Sequence, residues 1–423
     1  MAPISSSDSA SLLLLPALSI SSPTSSLRSA YKTSLETLFP RLVASGSTAT
    51  ISRLDIALCL HPSYPASTTH SRSAVFAPLQ RLLSSVYSLV VSVAATSHID
   101  LDLPGGLDVR VFFVDSPVEG ASSSGKQHIS GPVVDLLTLV TSLRHYSALY
   151  SVDGEAGESF LKLVTTTYNS KNQPIPPIHR LPAGPSLNYD QNSSQPSNSL
   201  VPDGPVTSHA SVAVGGTFDH LHIGHKLLLT CTILAADPQA SPRLITCGIT
   251  GDELLVNKKY GSIVESWHDR QVRTAQFVES ILAFHPDVSS LRKTEYLDSP
   301  GPNGKVVRVT YSTPPMDSTS DDSITINYTQ LSDPYGPTIT DQAISAIVIS
   351  AETRAGGKAV NDKRQDKGWK PLEVFEIDVL DAGSIDDAPS DTVAGHSLEK
   401  GFADKISSTE IRRRLLELQE KST

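Results

Sequence analysis

Between Asn172 and His209 the chain carries Pro174, Pro176, Pro177, Pro182, Pro185, Pro196, Pro202 and Pro205, separated largely by Asn, Gln and Ser. Each proline removes a backbone donor and holds the residue before it extended. The residues between them offer little apolar surface to bury. A segment of this kind does not continue a helix or a central strand, so the chain cannot be one uninterrupted core. The reading is a disordered start over residues 1–26, a smaller N-terminal α/β domain over 27–170, a linker over 171–209 and a second domain over 210–423.

Composition narrows the function classes. Charged residues are only 18% of the chain and the formal net charge is −10. This excludes a protein that coats nucleic acid without sequence preference, although a small basic pocket remains compatible. Cys59, Cys231 and Cys247 have no CxxC spacing, so neither a disulfide framework nor a cysteine metal site is expected. The apolar run Leu12–Ile20 is interrupted by Pro16 and preceded by Asp8 rather than by Lys or Arg. No stretch is expected to span a bilayer, and the chain reads as cytoplasmic, with neither membrane nor nucleic acid as partner.

In the first half, Ala49–Leu60 and Leu107–Asp115 have strand character, while Phe76–Ser97 and Val133–Tyr150 read as helices. His61, His70, His128 and His145 are scattered without metal-ligand spacing, and no catalytic arrangement is evident. The second half is more regular. Ser211–Gly216, Arg243–Thr250, Ser323–Gln330, Ala343–Ser350 and Leu372–Leu380 read as strands, and Leu221–Ala236, Ser266–Ala283 and Ser408–Glu420 as helices. Alternating strands and helices imply an α/β fold with a parallel sheet, in which ligands bind beyond the carboxyl ends of the strands.

Chemistry concentrates in Gly215-Gly216-Thr217-Phe218-Asp219-His220-Leu221-His222-Ile223-Gly224-His225. A strand ends in two glycines, a polar turn follows, and a helix opens with His-x-Gly-His. The helix N-terminus offers free N–H groups and the positive end of a dipole, a site for phosphate. His222 and His225, three residues apart, share one helical face. Gly224 costs a helix roughly 1 kcal/mol relative to Ala, a cost explained if a ligand lies against that backbone. A two-histidine zinc site is the rival reading, but no carboxylate or cysteine stands at a fitting spacing.

This segment is followed by Gly248-Ile249-Thr250-Gly251-Asp252-Glu253-Leu254-Leu255, Asn257-Lys258-Lys259-Tyr260 and Leu331-Ser332-Asp333-Pro334-Tyr335-Gly336-Pro337-Thr338. Then come Val348-Ile349-Ser350-Ala351-Glu352-Thr353-Arg354-Ala355-Gly356-Gly357, Asn361-Asp362-Lys363-Arg364 and Lys405-Ile406-Ser407-Ser408-Thr409-Glu410-Ile411-Arg412. Together, over about residues 210–420, they resemble the nucleotidyltransferase superfamily with the (H/T)xGH motif, and within it the eukaryotic-type phosphopantetheine adenylyltransferases. The resemblance implies a Rossmann-like nucleotidyltransferase domain. It also implies transfer of AMP from ATP, accompanied by Mg²⁺, to 4′-phosphopantetheine in coenzyme A biosynthesis, with other enzymes of that pathway as possible partners.

By the same resemblance His225 stabilises the transition state and His222 contacts the ATP phosphates. Lys258 or Lys259 holds a phosphate, with Lys258 the closer match. Gly216, Thr217, Phe218 and Gly224 meet the substrates, and Arg354 grips phosphate in a bidentate contact. Ser407, Ser408 and Thr409 combine helix capping with phosphate binding. Bacterial relatives carry a second arginine near Arg354; here Lys363 or Arg364 is expected to supply that charge. Asp219 and Asp333 are read as residues that orient groups or influence Mg²⁺, and Arg412-Arg413-Arg414 as a solvated helix face. Residues 298–322 and 381–401 are insertions without evident chemistry, the first a surface loop or hairpin. No GxxxxGK[ST] loop is present, so only the adenylyl transfer is expected. Cytidylyl or nicotinamide-nucleotide transfer would share the histidine chemistry, and residues 1–170 could serve a scaffold.

Overall fold

A computed structural model describes residues 10–18, 24–61, 72–115, 129, 131–185, 207–298, 304–312, 323–378 and 407–422. Much of the proline-rich segment, the insertion 381–401, Ile406, His70 and His128 lie outside the described residues. The chain divides into two compact units: Met1–His70 with Ser85–Gly204 and Ile281–Val288, and Ser71–Ser84 with Pro205–Ser280 and Ser289–Thr423. The second unit thus takes in a stretch of the first half that a division at the prolines does not foresee. Apolar packing accounts for it. The rings of Phe76 and Phe375 lie 4.6 Å apart, and the side-chain amide of Gln80 donates to Asp378 at 2.7 Å.

The first unit contains β1 (Ala10–Leu15), α1 (Thr24–Ser45), β2 (Ser52–Cys59), α2 (Arg72–Thr96, of which Arg72–Ser84 are assigned to the second unit), β3 (Leu107–Val114), β4 (Val133–Val134), α3 (Leu136–Thr141), β5 (Tyr146–Val152), α4 (Glu155–Ser170) and β6 (Ile178–Leu181). Its six strands form one sheet in the order β4-β3-β2-β1-β5-β6, every neighbouring pair parallel. Three expectations are corrected here. The expected disordered start contains β1, whose six residues are all buried between β2 and β5, as a continuous leucine run suits a parallel strand covered on both faces. The expected linker contains β6, which pairs with β5. The expected helix Val133–Tyr150 is a short strand, a six-residue helix and the start of a long strand. Asp135 caps the helix by accepting from Thr138 N–H at 2.6 Å, and Leu143, in the left-handed region at φ 51°, follows it.

Helix α2 is long and apolar enough over Ser73–Thr96 to cross a membrane, contrary to the expectation that no stretch would be. Two-thirds of its most apolar window is buried in the protein, as in a core helix.

One charged cluster sits inside the first unit. Asp55, fully buried, accepts from Arg53 through Nε and Nη2 at 2.8 Å each, from the Tyr146 hydroxyl at 3.2 Å and from Arg144 at 3.4 Å. Burial alone would raise its pKa, but the guanidinium of Arg53, supported by Arg144, more than offsets this and holds the carboxyl below its ordinary range.

The second unit carries β7 (Ser211–Gly216), α5 (Ile223–Ala235), β8 (Arg243–Thr250), α6 (Trp267–Leu282), α7 (Val288–Leu291), β9 (Arg292–Leu297), β10 (Val306–Ser312), β11 (Ser323–Leu331), β12 (Ala346–Ser350), α8 (Arg354–Asp366), β13 (Glu373–Ile377) and α9 (Ser408–Ser422), with Ile281 and Leu282 of α6 and Val288 of α7 assigned to the first unit. Its sheet runs β13-β12-β7-β8-β11-β10-β9. The five strands from β13 to β11 are parallel, while β10 and β9 extend the sheet antiparallel. Part of the insertion 298–322 is therefore a sheet strand, β10, paired in register with Ser323–Thr329 of β11. The parallel strands follow the 3-2-1-4-5 order of a Rossmann-like doubly wound sheet. Strand order reverses between β7 and β12, and a crevice at their carboxyl ends is where such folds bind ligands.

Replacing Asp55 by Asn would leave two partly buried guanidinium groups without their counter-charge. Urea unfolding of Asp55→Asn should show a loss of about 3–5 kcal/mol.

Candidate active site

β7 delivers the chain to the crevice and the turn after it bends sharply. Phe218 and His220 both adopt left-handed backbone conformations, at φ 51° and 45°. Such conformations cost of order 1 kcal/mol or more each and persist where the surroundings enforce them. Here the surroundings do so by hydrogen bonding. Asp219, fully buried, accepts from Glu265 N–H at 2.9 Å, and Glu265 in turn accepts from His220 N–H at 2.8 Å. The His220 ring reaches the Ile263 carbonyl at 2.9 Å. Arg270, with no exposed surface, donates to the carbonyls of Thr217 at 2.7 Å and Glu265 at 3.0 Å and to the Asp252 carboxylate at 2.6 Å.

The turn passes into α5, with His222 as its N-cap residue but without a side-chain capping bond. The rings of His222 and His225 stack with centroids 3.8 Å apart and planes 25° from parallel. Both Nδ1 atoms are buried and have no hydrogen-bond partner. Phe218, itself buried, places its ring 5.3 Å from His225. Gly224 permits the stack, since a Cβ there would stand 3.2 Å from the His222 ring. At Gly216 a Cβ would press on the Phe218 ring at 3.0 Å, so that glycine lets the aromatic ring fold back under the strand end.

Burial is the main cause of low basicity in both histidines. The neighbouring His225, Lys226 and His220 push His222 further, well below the ordinary histidine value. His225 is lowered to about 4, the charge of Asp219 opposing the shift and His220 adding to it. At neutral pH the pair is therefore uncharged, and its two unpartnered nitrogens stand at the positive end of α5.

The other expected site residues divide into two groups. Ser408 donates to the Asp219 carbonyl at 2.9 Å, Ser407 accepts from Glu410 N–H at 3.3 Å, and Thr409 accepts from Arg412 at 3.1 Å. The first turn of α9 is thus tied to the histidine-bearing turn. Lys258 and Lys259 are exposed in the connection after β8, and neither side chain has a described polar partner; the Lys259 carbonyl accepts from Arg412 at 3.0 Å. Arg354 stands just beyond β12 at the start of α8, but its bidentate contact is with Glu376. Lys363 lies over the Tyr335 ring at 6.0 Å. Asp333 orients its own loop by accepting from the N–H groups of Tyr335 and Gly336.

Two expectations are overturned. Arg364 cannot serve as a free phosphate ligand, because it is buried and donates to the carbonyls of Thr338, Asp341, Gln342, Ile344 and Lys370. Arg412 does not belong to a solvated face. It is 2% exposed and paired with Asp219, whereas Arg413 pairs with Glu410 and Glu417. Glu265 and Arg270 escaped sequence reasoning altogether, and Asp252 entered only within a quoted motif without a role, since carboxylates and arginines on a polar loop and helix carry no periodic signal. Among the described residues no group of three or more His, Cys, Asp or Glu side chains is placed to hold a metal ion.

About half of the chain has named relatives. The phosphopantetheine adenylyltransferase of Saccharomyces cerevisiae is 34% identical over 203 residues, 48% of each chain. That of Pyrobaculum aerophilum is 27% identical over 204 residues, 48% of this chain and 90% of the relative. An uncharacterized protein of Schizosaccharomyces pombe, C1F12.08, is 29% identical over 245 residues, 58% of this chain and 57% of that one. The chain thus spans about half the length of the two yeast relatives it matches. Residues 1–187 match a family described as a domain of unknown function, DUF8446.

The low basicity of the histidines has a consequence for stability. An unfolded chain takes up protons on histidine near pH 6.5, whereas the folded pair resists them until the pH is much lower. Folding stability therefore falls as pH drops from about 6.5 towards 4. Urea unfolding at pH 6.5 and 5 should show this loss, and a His222→Gln/His225→Gln variant should show a smaller one.

Proposed function

We propose that the second unit transfers the adenylyl group of ATP to 4′-phosphopantetheine. A phosphate oxygen of the acceptor attacks the α-phosphorus, the bond to the β-phosphate bridging oxygen breaks, and dephospho-coenzyme A and pyrophosphate leave. The observation that carries the reading is the stacked, uncharged His222–His225 pair, with both buried Nδ1 atoms unpartnered, at a helix N-terminus beside the strand-order reversal. Relatives named for this transfer support it.

The acceptor phosphate is ionised near neutral pH, so the transfer needs no protein base. It needs alignment and positive charge where charge accumulates on the α-phosphoryl oxygens. A triphosphate entering the crevice favours the protonated form of a nearby imidazole. In this proposal His222 meets the ATP phosphates and His225 the reacting phosphoryl group. Lys258 or Lys259 holds the acceptor phosphate as a mobile point charge. Gly216, Thr217, Phe218 and Gly224 shape the floor, and the Ser407–Thr409 turn receives the outer phosphates at the N-terminus of α9. Arg354 joins only by exchanging Glu376 for phosphate. Mg²⁺ arrives on the nucleotide, where it keeps several waters and needs no dedicated protein cage. The reaction is assigned to the cytoplasm.

The test offers the full chain Mg-ATP with phosphopantetheine, choline phosphate or nicotinamide mononucleotide and follows pyrophosphate release. Release with phosphopantetheine alone is expected; none with it, or preference for another acceptor, rejects the assignment. His225→Ala should lower kcat by about 10²–10³-fold, the scale for removing one preorganised donor from a developing charge.

A further inference from the structure

We infer that Arg412 is a positioning residue, fixing the distance between the histidine-bearing turn and the lysine loop from its place in α9. The inference rests on the adenylyltransferase reading for its kinetic consequence, but not for its geometry. One guanidinium engages two other segments and the first turn of its own helix. Nη1 pairs with Asp219 Oδ2, Nε donates to the Lys259 carbonyl at 3.0 Å, and Nη2 donates to Thr409 Oγ1 at 3.1 Å. Asp219 lies three residues before His222, and Lys259 directly follows Lys258. The groups proposed to act on the two phosphates are thus tied to a single planar fork.

Burial makes that fork rigid. Asp219 is fully buried and Arg412 only 2% exposed. The second carboxylate oxygen of Asp219 is held by Glu265 N–H and its carbonyl by Ser408, so the anion cannot follow a displaced arginine. A buried ion pair is a weak way to gain stability, because desolvation opposes the Coulomb attraction, and what it supplies here is placement. Lysine cannot replace this arrangement. Its single ammonium can answer Asp219, but it does not reproduce the planar set of donors that also reaches Lys259 and Thr409.

The test compares Arg412→Lys and Arg412→Met with the unsubstituted full chain. Both should fold with similar Mg-ATP affinity and a lower kcat at saturating substrates, by about tenfold for Lys and about 10²-fold for Met, the cost of roughly 1 Å of misplacement. Amide hydrogen exchange in residues 256–262 should quicken in both. A purely structural role lowers the unfolding midpoint but leaves kcat at saturation unchanged. Arg412→Lys with kcat within about twofold of the unsubstituted protein overturns the inference. If Arg412→Met does not fold, Arg412→Lys decides alone. If the unsubstituted chain transfers nothing to phosphopantetheine, the functional reading fails, and exchange at 256–262 still decides whether Arg412 holds the loop.

Discussion

Everything at the candidate site follows from the reversal of strand order between β7 and β12. Neighbouring parallel strands wound in opposite senses leave their following segments to diverge, and the gap opens at their carboxyl ends. Into that end β7 sends two glycines, a left-handed turn and the His222–His225 pair, while β12 sends the loop that begins α8. The extra strands β9 and β10 lie at the far edge of the sheet, leaving the reversal unaltered.

Polar groups at this end fall into two economies. Asp219, Glu265, Arg270 and Arg412 satisfy one another and hold backbone in shape. His222 and His225 keep buried ring nitrogens without partners, and Lys258 and Lys259 are exposed without described side-chain partners. A site for a polyanion requires this division. If the holding groups were unsatisfied the turn would relax, and if the contacting groups were paired internally a ligand would have to displace their partners. Arg354 is the intermediate case, poised at the crevice but presently engaged with Glu376.

The second sheet was largely legible in the residues. Ser211–Gly216 and Arg243–Thr250 have the bounds the sequence suggests, because short runs of β-branched and small apolar residues end in glycine or a polar turn. The histidine turn stood out in the residues as a strand end in two glycines followed by helix-opening histidines, and the structure brings His222 and His225 together there. What failed was local reading of ambiguous runs. Val133–Tyr150 is apolar enough for either class of element, and only Asp135 and the left-handed Leu143 punctuate it. Arg412 looked like its neighbours because three consecutive arginines must face three directions on a helix, and sequence alone does not say which one meets a buried carboxylate. Likewise Arg364 and Lys363 differ only in which side of α8 faces the 338–344 loop.

The central place of β1 bears on how the first unit is assembled during synthesis. Its leucines emerge first among the described strands, yet one of their two neighbours, β5, begins only at Tyr146. Until that strand has been made, one edge of a continuous apolar run has no permanent partner, even after β2 has paired with the other. Parallel sheets of this kind close late, because their contacts join residues far apart in sequence. The nascent chain must therefore keep an aggregation-prone edge covered until β5 arrives, a demand placed on the order of translation rather than on the finished fold.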